Sequence, residues 1–331
     1  MFTFVSLKYP SQFFMIKDLI ALKSGIIIFL SIVFFASCEK EYTPNLPTQA
    51  DDIVVEGYIE TGQNPNPTYV ILTRSIPFFR TLSNTSNIFE KGAVVYVSNG
   101  KDSTQLQELC WQDLTPDLKK QAGAALGINS DSTSKDFNFC VYADITQKIK
   151  AKIGETYTLR VKLSDGRILN STTTLPRLVP IDSLYFIKPP GTNQNDSFAQ
   201  CRAVVNDPKG NDFYRYLTAI NSKIYIAGSN TVTDDAFFDG VKIKFNLFKS
   251  EPRNSKTDAT IYGLWHRGDT VSIKFCNIDK ATFDFWNTLE YNARNGGPFS
   301  SYTKVKHNIA GGLGVWSGST VSYFDTIIPK K

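Results

Sequence analysis

The chain has 331 residues, a net charge of +5 and an aromatic content of 13%. Its 36 basic and 31 acidic residues are dispersed, so the charge pattern does not indicate nucleic-acid binding. The sequence contains no HExxH, GxSxG, P-loop or GxGxxG pattern, and it therefore gives no support for the enzyme and nucleotide-binding classes that use them.

The first 37 residues resemble a bacterial signal peptide. Lys17 and Lys23 precede the apolar run GIIIFLSIVFF (25–35), which has the length of a signal-peptide hydrophobic region and is short for a membrane span. Residues 1–37 are therefore expected to be removed; a short membrane anchor or a buried helix is the alternative. Met15 stands just before this pattern and is the favoured start, with Met1 as the other choice.

Small residues precede Cys38 in the sequence FASC, which resembles the lipobox of bacterial lipoproteins. We expect Cys38 to carry acyl chains such as palmitate, which would hold the protein at a membrane. Residues 38–52 are polar, contain two prolines and show no apolar periodicity, so they are predicted to form a flexible tether.

Residues 53–178 are predicted to form an Ig-like or fibronectin-like β-sandwich. In TYTLRVKL (156–163) apolar and polar residues alternate, which is typical of a strand with one buried face. A helix beginning at Thr115 and spanning 118–126 is predicted as an insertion. The predicted strands are 53–59, 69–73, 93–98, 137–142, 156–163 and 167–175.

Pro176 and Pro180 mark the predicted boundary with a larger, sandwich-like β-domain at 181–331. A second helix is predicted after Asp279, because apolar residues from Phe283 to Ala293 recur at helical spacing, including Trp286 on the apolar stripe. The fold class is therefore mainly β with one or two short helices. The predicted strands are 181–187, 198–205, 213–221, 241–248, 270–277 and 320–327.

Four cysteines remain once Cys38 is set aside, and an exported protein can join them in three ways. The predicted domains favour Cys110–Cys140 and Cys201–Cys276, because each pair then falls within one domain. Free buried cysteines are the alternative.

Two segments are candidate ligand or partner loops. The first contains Asp234, Asp235 and Asp239, whose carboxylates suit a polar contact or calcium, although the spacing is not that of an EF-hand. A turn that packs phenylalanine on the core is the structural alternative for this segment.

The second candidate segment is rich in glycine and includes Asn308, Gly311, Gly312 and Trp316. Clustered glycines indicate unusual φ angles or close backbone approach. Trp316 is the predicted anchor if the segment contacts a partner. A bulged strand that covers the core is the alternative interpretation.

Several blocks resemble the lipoprotein family called domain of unknown function 4249, from Bacteroidota-type bacteria. They occur in the family's order over most of residues 51–328. They include IVVEGYIETG (53–62), GETYTLRVKLSDGR (154–167), NDFYRYLTAIN (211–221), GDTVSIKFCNIDKATFDFWNTLE (268–290) and NIAGGLGVWSG (308–318). The resemblance implies an envelope location and association with TonB-dependent outer-membrane receptors, and it implies no reaction.

The leading functional hypothesis is an outer-membrane lipoprotein that assists a TonB-dependent receptor in substrate capture or uptake. The alternative is a structural, adhesion or glycan-binding envelope lipoprotein without a receptor partner. An enzyme is the least favoured class, because neither His266 nor His307 stands in an acid–base or nucleophile pattern. No cofactor or metal is expected, and the sequence leaves open which side of the outer membrane the protein faces.

Overall fold

The computed structural model describes residues 52–75, 88–116, 119, 139–190, 196–221, 224–251, 257–295 and 303–330. The predicted signal peptide, Cys38, nearly all of the tether and most of the predicted helix 118–126 lie outside these residues. Residues Ala50–Lys331 form one compact unit. The unit is mainly β with several sheets, as the sequence predicts.

An eight-stranded sheet is the central element of the fold. Its neighbouring strands are antiparallel except for β1 and β16, which are parallel. In sheet order the strands are β12 (Val232–Asp234), β11 (Phe213–Ile220), β15 (Thr270–Ile278), β16 (Leu313–Ile327), β1 (Ile53–Gly62), β2 (Tyr69–Arg74), β6 (Cys140–Ala143) and β5 (Gln107–Cys110).

Two four-stranded sheets complete the described β-structure. The first has the order β4 (Ser103–Gln105), β3 (Val94–Ser98), β7 (Thr156–Lys162) and β8 (Ile168–Thr174). The second has the order β13 (Lys242–Leu247), β10 (Phe198–Asn206) and β14 (Trp265–His266), and β9 (Ile181–Ile187) pairs with β10.

Strand alternation gives the eight-stranded sheet two different faces. We call the face that carries Val55, Phe275 and Trp316 the inner face, and the face that carries Tyr58 and Lys274 the outer face. The inner face packs against both four-stranded sheets. Residues of β1, β2, β3 and β7 form one hydrophobic core there, and residues of β10, β11, β13 and β15 form a second. The two cores explain why the sequence looks like two sandwiches.

The predicted division into domains at 53–178 and 181–331 is nevertheless wrong for the backbone. The last strand, β16, pairs along its first nine residues with the first strand, β1, from Val54↔Leu313 to Gly62↔Val321. The main sheet therefore continues across both predicted domains, and one compact unit results. The prolines near residue 178 mark a change of core and not a break between domains.

The helix predicted after Asp279 is present as α1 (Lys280–Arg294). The Asp279 side chain caps it by accepting a hydrogen bond from the Thr282 amide at 2.8 Å. Phe283 packs in a small cluster with Cys276 and Val321 of the outer face. The helix therefore covers part of the outer face, which the four-stranded sheets leave open.

The cysteines follow the prediction only in part. Cys110 and Cys140 form the predicted disulfide, which joins the neighbouring strands β5 and β6. Cys201 and Cys276 are both free and buried, so the favoured second bridge is wrong. Cys201 belongs to the core below the inner face, whereas Cys276 belongs to the outer-face cluster, and the sheet separates their sulfur atoms.

Candidate functional site

A cavity of about 560 Å³ lies on the outer face, and we call it the outer-face pocket. Its volume is in the range of cavities that hold small organic ligands. Five strands, helix α1 and two loop residues contribute to it. The lining residues are Glu56, Tyr58, Glu60, Asn66, Tyr69, Arg215, Leu217, Tyr225, Lys274, Cys276, Ile278, Thr282, Trp286, Ser317, Ser319 and Tyr323.

The strand pattern explains how these side chains meet. Residues two apart on a strand point to the same side, so Glu56, Tyr58 and Glu60 of β1 all project outward. The parallel register places Ser317 beside Tyr58 and Ser319 beside Glu60. The two serines are short and lie between longer side chains on β1 and β15, and they therefore leave room for the cavity.

A buried ion pair lies at one side of the pocket. The Nζ atom of Lys274 is 2.5 Å from Oε1 of Glu60, and the two side chains are only 8% and 7% exposed. The other Glu60 oxygen accepts a hydrogen bond from the Asn66 amide at 3.0 Å. Burial lowers the pKa of Lys274, but the Glu60 carboxylate outweighs this effect and the pKa lies above its usual value. Lys274 is therefore a charged group whose charge is already compensated.

Arg215 is the opposite case. Arg215 is only 8% exposed, and its guanidinium carbon lies 3.5 Å from the ring centroid of Trp286. Among the described residues, no carboxylate forms an ion pair with Arg215, and its buried Nε atom has no hydrogen-bond acceptor. Burial of a charge without a counter-charge is unfavourable, so this group is suited to bind an acceptor that the described residues do not supply.

Two further polar atoms of the pocket are buried without a hydrogen-bond partner within the described structure. They are Nε1 of Trp286 and Oγ1 of Thr282, both on α1. Buried polar groups normally have partners, and three unpartnered groups in one cavity indicate a site that a ligand or water completes. Trp286 lies on the predicted apolar stripe of the helix, but it is partly exposed and faces the pocket.

Tyrosines form much of the remaining wall. The Tyr58 hydroxyl donates to Oε1 of Glu56 at 2.6 Å, and the rings of Tyr58 and Tyr69 are 5.2 Å apart. Burial raises the pKa of both tyrosines well above the usual value, and it raises the pKa of Tyr323 to about 12. These hydroxyls therefore remain protonated at neutral pH and offer hydrogen bonds beside flat apolar rings.

The cysteine of the pocket and the two histidines of the chain are poorly placed for catalysis there. Burial raises the pKa of the Cys276 thiol to about 11, so the thiolate that a nucleophile needs is scarce at neutral pH. Neither histidine lines the pocket. His266 contacts the carbonyl of Arg267 at 3.0 Å, and His307 contacts that of Ile309 at 3.3 Å. The arrangement is suited to holding a polar ligand.

The predicted acidic loop lies elsewhere in the chain. Asp235 and Asp239 come together with Asp207, and one carboxylate oxygen of each lies within 4.8 Å of the others. Asp234 belongs to β12 and is not part of this group. Phe238 packs against the second core, whereas its neighbour Phe237 is fully exposed.

All three carboxylates already accept hydrogen bonds from backbone amides. Asp235 accepts from the amide of Asp212 at 2.8 Å, Asp239 from that of Gly210 at 2.8 Å, and Asp207 from that of Gly240 at 2.9 Å. Burial raises the pKa of Asp235. Three carboxylates fall short of the six to eight oxygens that calcium takes, and their visible role is to hold loops together.

The glycine-rich segment packs into the protein. Trp316 is 0% exposed, and its indole nitrogen donates to the Tyr157 carbonyl at 3.0 Å, so its predicted role as an exposed partner anchor is wrong. The Asn308 side chain holds the Trp316 backbone through bonds of 2.8 and 2.9 Å. A Cβ atom on Gly311 would lie 2.9 Å from the Ile168 carbonyl, and one on Gly312 would lie 2.8 Å from that of Ile53. The glycines permit close backbone contact.

Sequence reasoning missed the pocket residues, although a signal existed for two of them. Lys274 interrupts the apolar strand VSIKFCNI, and Arg215 stands between aromatic residues in FYRYLTAI. A charged residue inside such a strand must either reach solvent or find a buried partner. A check of each predicted strand for a charged residue among apolar ones selects Arg215 and Lys274 without knowledge of the sheet order.

Within the described residues, no helix has the length and apolar character needed to cross a membrane. A search of curated proteins finds no match to this chain. A family model described as domain of unknown function (DUF4249) matches residues 39–324, which include every residue of the outer-face pocket. The chain therefore belongs to the DUF4249 family.

Proposed function

We propose that this protein is an outer-membrane lipoprotein that captures a small ligand in the outer-face pocket and assists its uptake by a TonB-dependent receptor. The observation that carries the capture step is Arg215, a buried charge without a counter-charge in a cavity of ligand size. Burial of a charge without a counter-charge lowers the stability of the fold, and the contact with the Trp286 ring offsets only part of this effect. A bound ligand would supply the counter-charge that Arg215 lacks.

Binding without chemistry is the favoured mode of action. The ion pair with Glu60 holds Lys274, and the Cys276 thiol is protonated, so neither group is available as a base or nucleophile. The strands of one sheet hold the lining side chains in fixed positions. A preformed pocket of this kind loses little conformational entropy when a ligand enters.

The membrane part of the proposal rests on the sequence around Cys38 and can be tested alone. The full gene is expressed in its native host, and the membrane and soluble fractions are compared after labelling with a palmitate analogue. We expect the label and the membrane association to be lost in Cys38→Ala and kept in the control Cys201→Ala. Unlabelled wild-type protein would exclude the lipid anchor.

The receptor part rests on the resemblance of the chain to envelope lipoproteins. Tagged full-length protein is recovered from detergent-solubilised outer membranes, and the associated proteins are identified by mass spectrometry. Stoichiometric recovery of a TonB-dependent receptor is the expected result. Recovery of the lipoprotein alone, in a detergent that preserves known receptor complexes, would favour the alternative of a free-standing binding or adhesion protein.

A further inference from the structure

We propose that the outer-face pocket binds a small organic anion through the guanidinium of Arg215. The ligand consists of a ring with hydroxyl groups and a carboxylate or phosphate ester substituent. This inference deepens the proposed capture function and rests on it. It names the chemical class of the ligand and the group that recognises it.

The first step is the charge balance of the pocket. Of its two cationic groups, Lys274 is compensated by Glu60, which also accepts from the backbone of Asn66. Arg215 has no such partner among the described residues. Glu56 is a second carboxylate of the pocket, but it forms no ion pair with Arg215. The positive charge without a paired carboxylate is therefore that of Arg215, and an oxyanion is the ligand group that complements it.

The second step is the orientation of Arg215. The Trp286 ring covers one face of the guanidinium at 3.5 Å, so the hydrogen-bonding edge stays free. The Nε atom on that edge has no acceptor. Carboxylates and phosphates accept two parallel hydrogen bonds from such an edge, whereas a neutral hydroxyl accepts less strongly. The indole nitrogen of Trp286 and the hydroxyl of Thr282 are further unpartnered groups on the same helix.

The third step concerns the rest of the cavity. Glu56 on β1 lines the same cavity as Arg215 on β11, and two strands of the sheet lie between them. One Glu56 oxygen accepts from Tyr58, and no described group donates to the other within hydrogen-bond distance. That oxygen suits a hydroxyl of the ligand body. The tyrosine rings that line the cavity offer flat surfaces beside these polar groups, so a ring with hydroxyl groups and one acidic substituent matches the pocket.

The test uses the full-length wild-type protein in detergent and a matched set of probes. Glucose, glucuronate and glucose 6-phosphate share one ring and carry a neutral, a carboxylate and a phosphate group. Binding is measured by calorimetry and by the rise in thermal unfolding temperature. We expect at least one of the two anions to bind more tightly than glucose by a factor of about 10–100. This factor is the gain in affinity expected from hydrogen bonds to a charged group. The stronger of the two identifies the head group.

Variants then locate the binding group. Arg215→Met keeps a chain that can pack on Trp286 and removes the charge. We expect it to remain as stable as the wild type and to lose the preference for the anion. Arg202→Met is the matched control, because Arg202 on β10 also has an unpartnered Nε but does not line the pocket. Arg215→Lys keeps the charge without the planar fork and should bind the anion with intermediate affinity.

Three results would overturn the inference. They are binding of glucose as tight as that of both anions, absence of binding by either anion at the highest soluble concentration, and anion binding that is unchanged in Arg215→Met. The first two need no variant and remain decisive if Arg215→Met fails to fold. If the protein binds the anion but no receptor is recovered with it from outer membranes, only the receptor part of the proposed function is excluded.

Discussion

The two faces of the eight-stranded sheet differ although the same strands form both. On β15, Ile273 and Phe275 point inward into an apolar core, whereas Lys274 and Cys276 point outward into the pocket. On the inner face, Trp316 is fully buried and its polar atom is satisfied. On the outer face, Arg215 and Trp286 keep unpartnered polar atoms. The inner face therefore carries the two large apolar cores, and the outer face carries a cavity lined by polar groups that suit binding.

The largest expected difference between the faces comes from their tryptophans. Trp316→Ala would remove the largest fully buried side chain of the first core and a buried hydrogen bond. We expect a loss of about 3–5 kcal/mol in the free energy of unfolding. Chemical denaturation followed by circular dichroism measures this loss.

Trp286→Ala is the control for this prediction on the outer face. Its side chain borders a cavity and is only partly buried, so we expect a clearly smaller loss. The control also removes the surface on which the Arg215 guanidinium lies. Equal losses for the two variants would show that the outer face is packed as tightly as the inner face, and the comparison would fail.

The next largest effect is expected from the buried ion pair. Lys274→Met leaves the Glu60 carboxylate buried without its cation, and Glu60→Gln leaves the ammonium without its anion. We expect each single variant to lose about 3 kcal/mol and the double variant to lose much less than the sum. A double-mutant cycle by chemical denaturation gives the coupling energy. Additive losses would mean that the two charges are solvated independently.

The two free cysteines offer a matched pair on opposite faces. Cys201→Ser places a hydroxyl in an apolar core, and we expect a loss of about 1–3 kcal/mol. Cys276→Ser places the same hydroxyl beside Lys274 and Tyr323, where partners exist, and the loss should stay below about 1 kcal/mol. The two unfolding curves are compared with that of the wild type at mildly acidic pH without reductant, so that the Cys110–Cys140 disulfide stays intact and thiol exchange is slow. A larger loss for Cys276→Ser would contradict the polar character of the outer face.

Local sequence patterns predicted much of the fold. Alternation in TYTLRVKL and β-branched residues in IVVEGYI placed strands β7 and β1, and the capping residue Asp279 placed helix α1. These features depend on residues close together in the chain. The disulfide between Cys110 and Cys140 followed from the same local view, because both residues lie in the N-terminal half.

The sheet order was not accessible in this way. The register Val54↔Leu313 joins residues at opposite ends of the described chain, and no local pattern specifies which strands become neighbours. The domain boundary was therefore misplaced, and the pocket stayed hidden because its walls come from both ends of the chain. The role of the glycines around Trp316 also depends on a strand that is distant in the sequence. Gly314 has φ +103°, and a Cβ atom there would lie 1.9 Å from the Val55 carbonyl of the partner strand.

The smallest predicted effect concerns the helix that covers the outer face. Asp284 of α1 accepts from Lys280 at 2.7 Å and lies 3.3 Å from Lys306, which follows the helix in the chain. Burial raises the pKa of Asp284, but the bonds to the two lysines outweigh it and leave the pKa below the usual value of 3.8. The carboxylate therefore stabilises the folded state above that pH. This contribution is lost as the pH falls through the lowered folded-state pKa.

Asp284→Asn should reduce the free energy of unfolding by about 0.5–1 kcal/mol at neutral pH and low salt, because the lysines are well exposed. Denaturation curves recorded from neutral to acidic pH should show the two proteins converging below the usual carboxyl pKa. Asp196→Asn is the control, since Asp196 is 88% exposed in its pair with Lys188 and should have no measurable effect. A difference that persists in acid would mean that Asp284 acts through packing, and the helix would then be held on the outer face by the same apolar contacts that close the inner face.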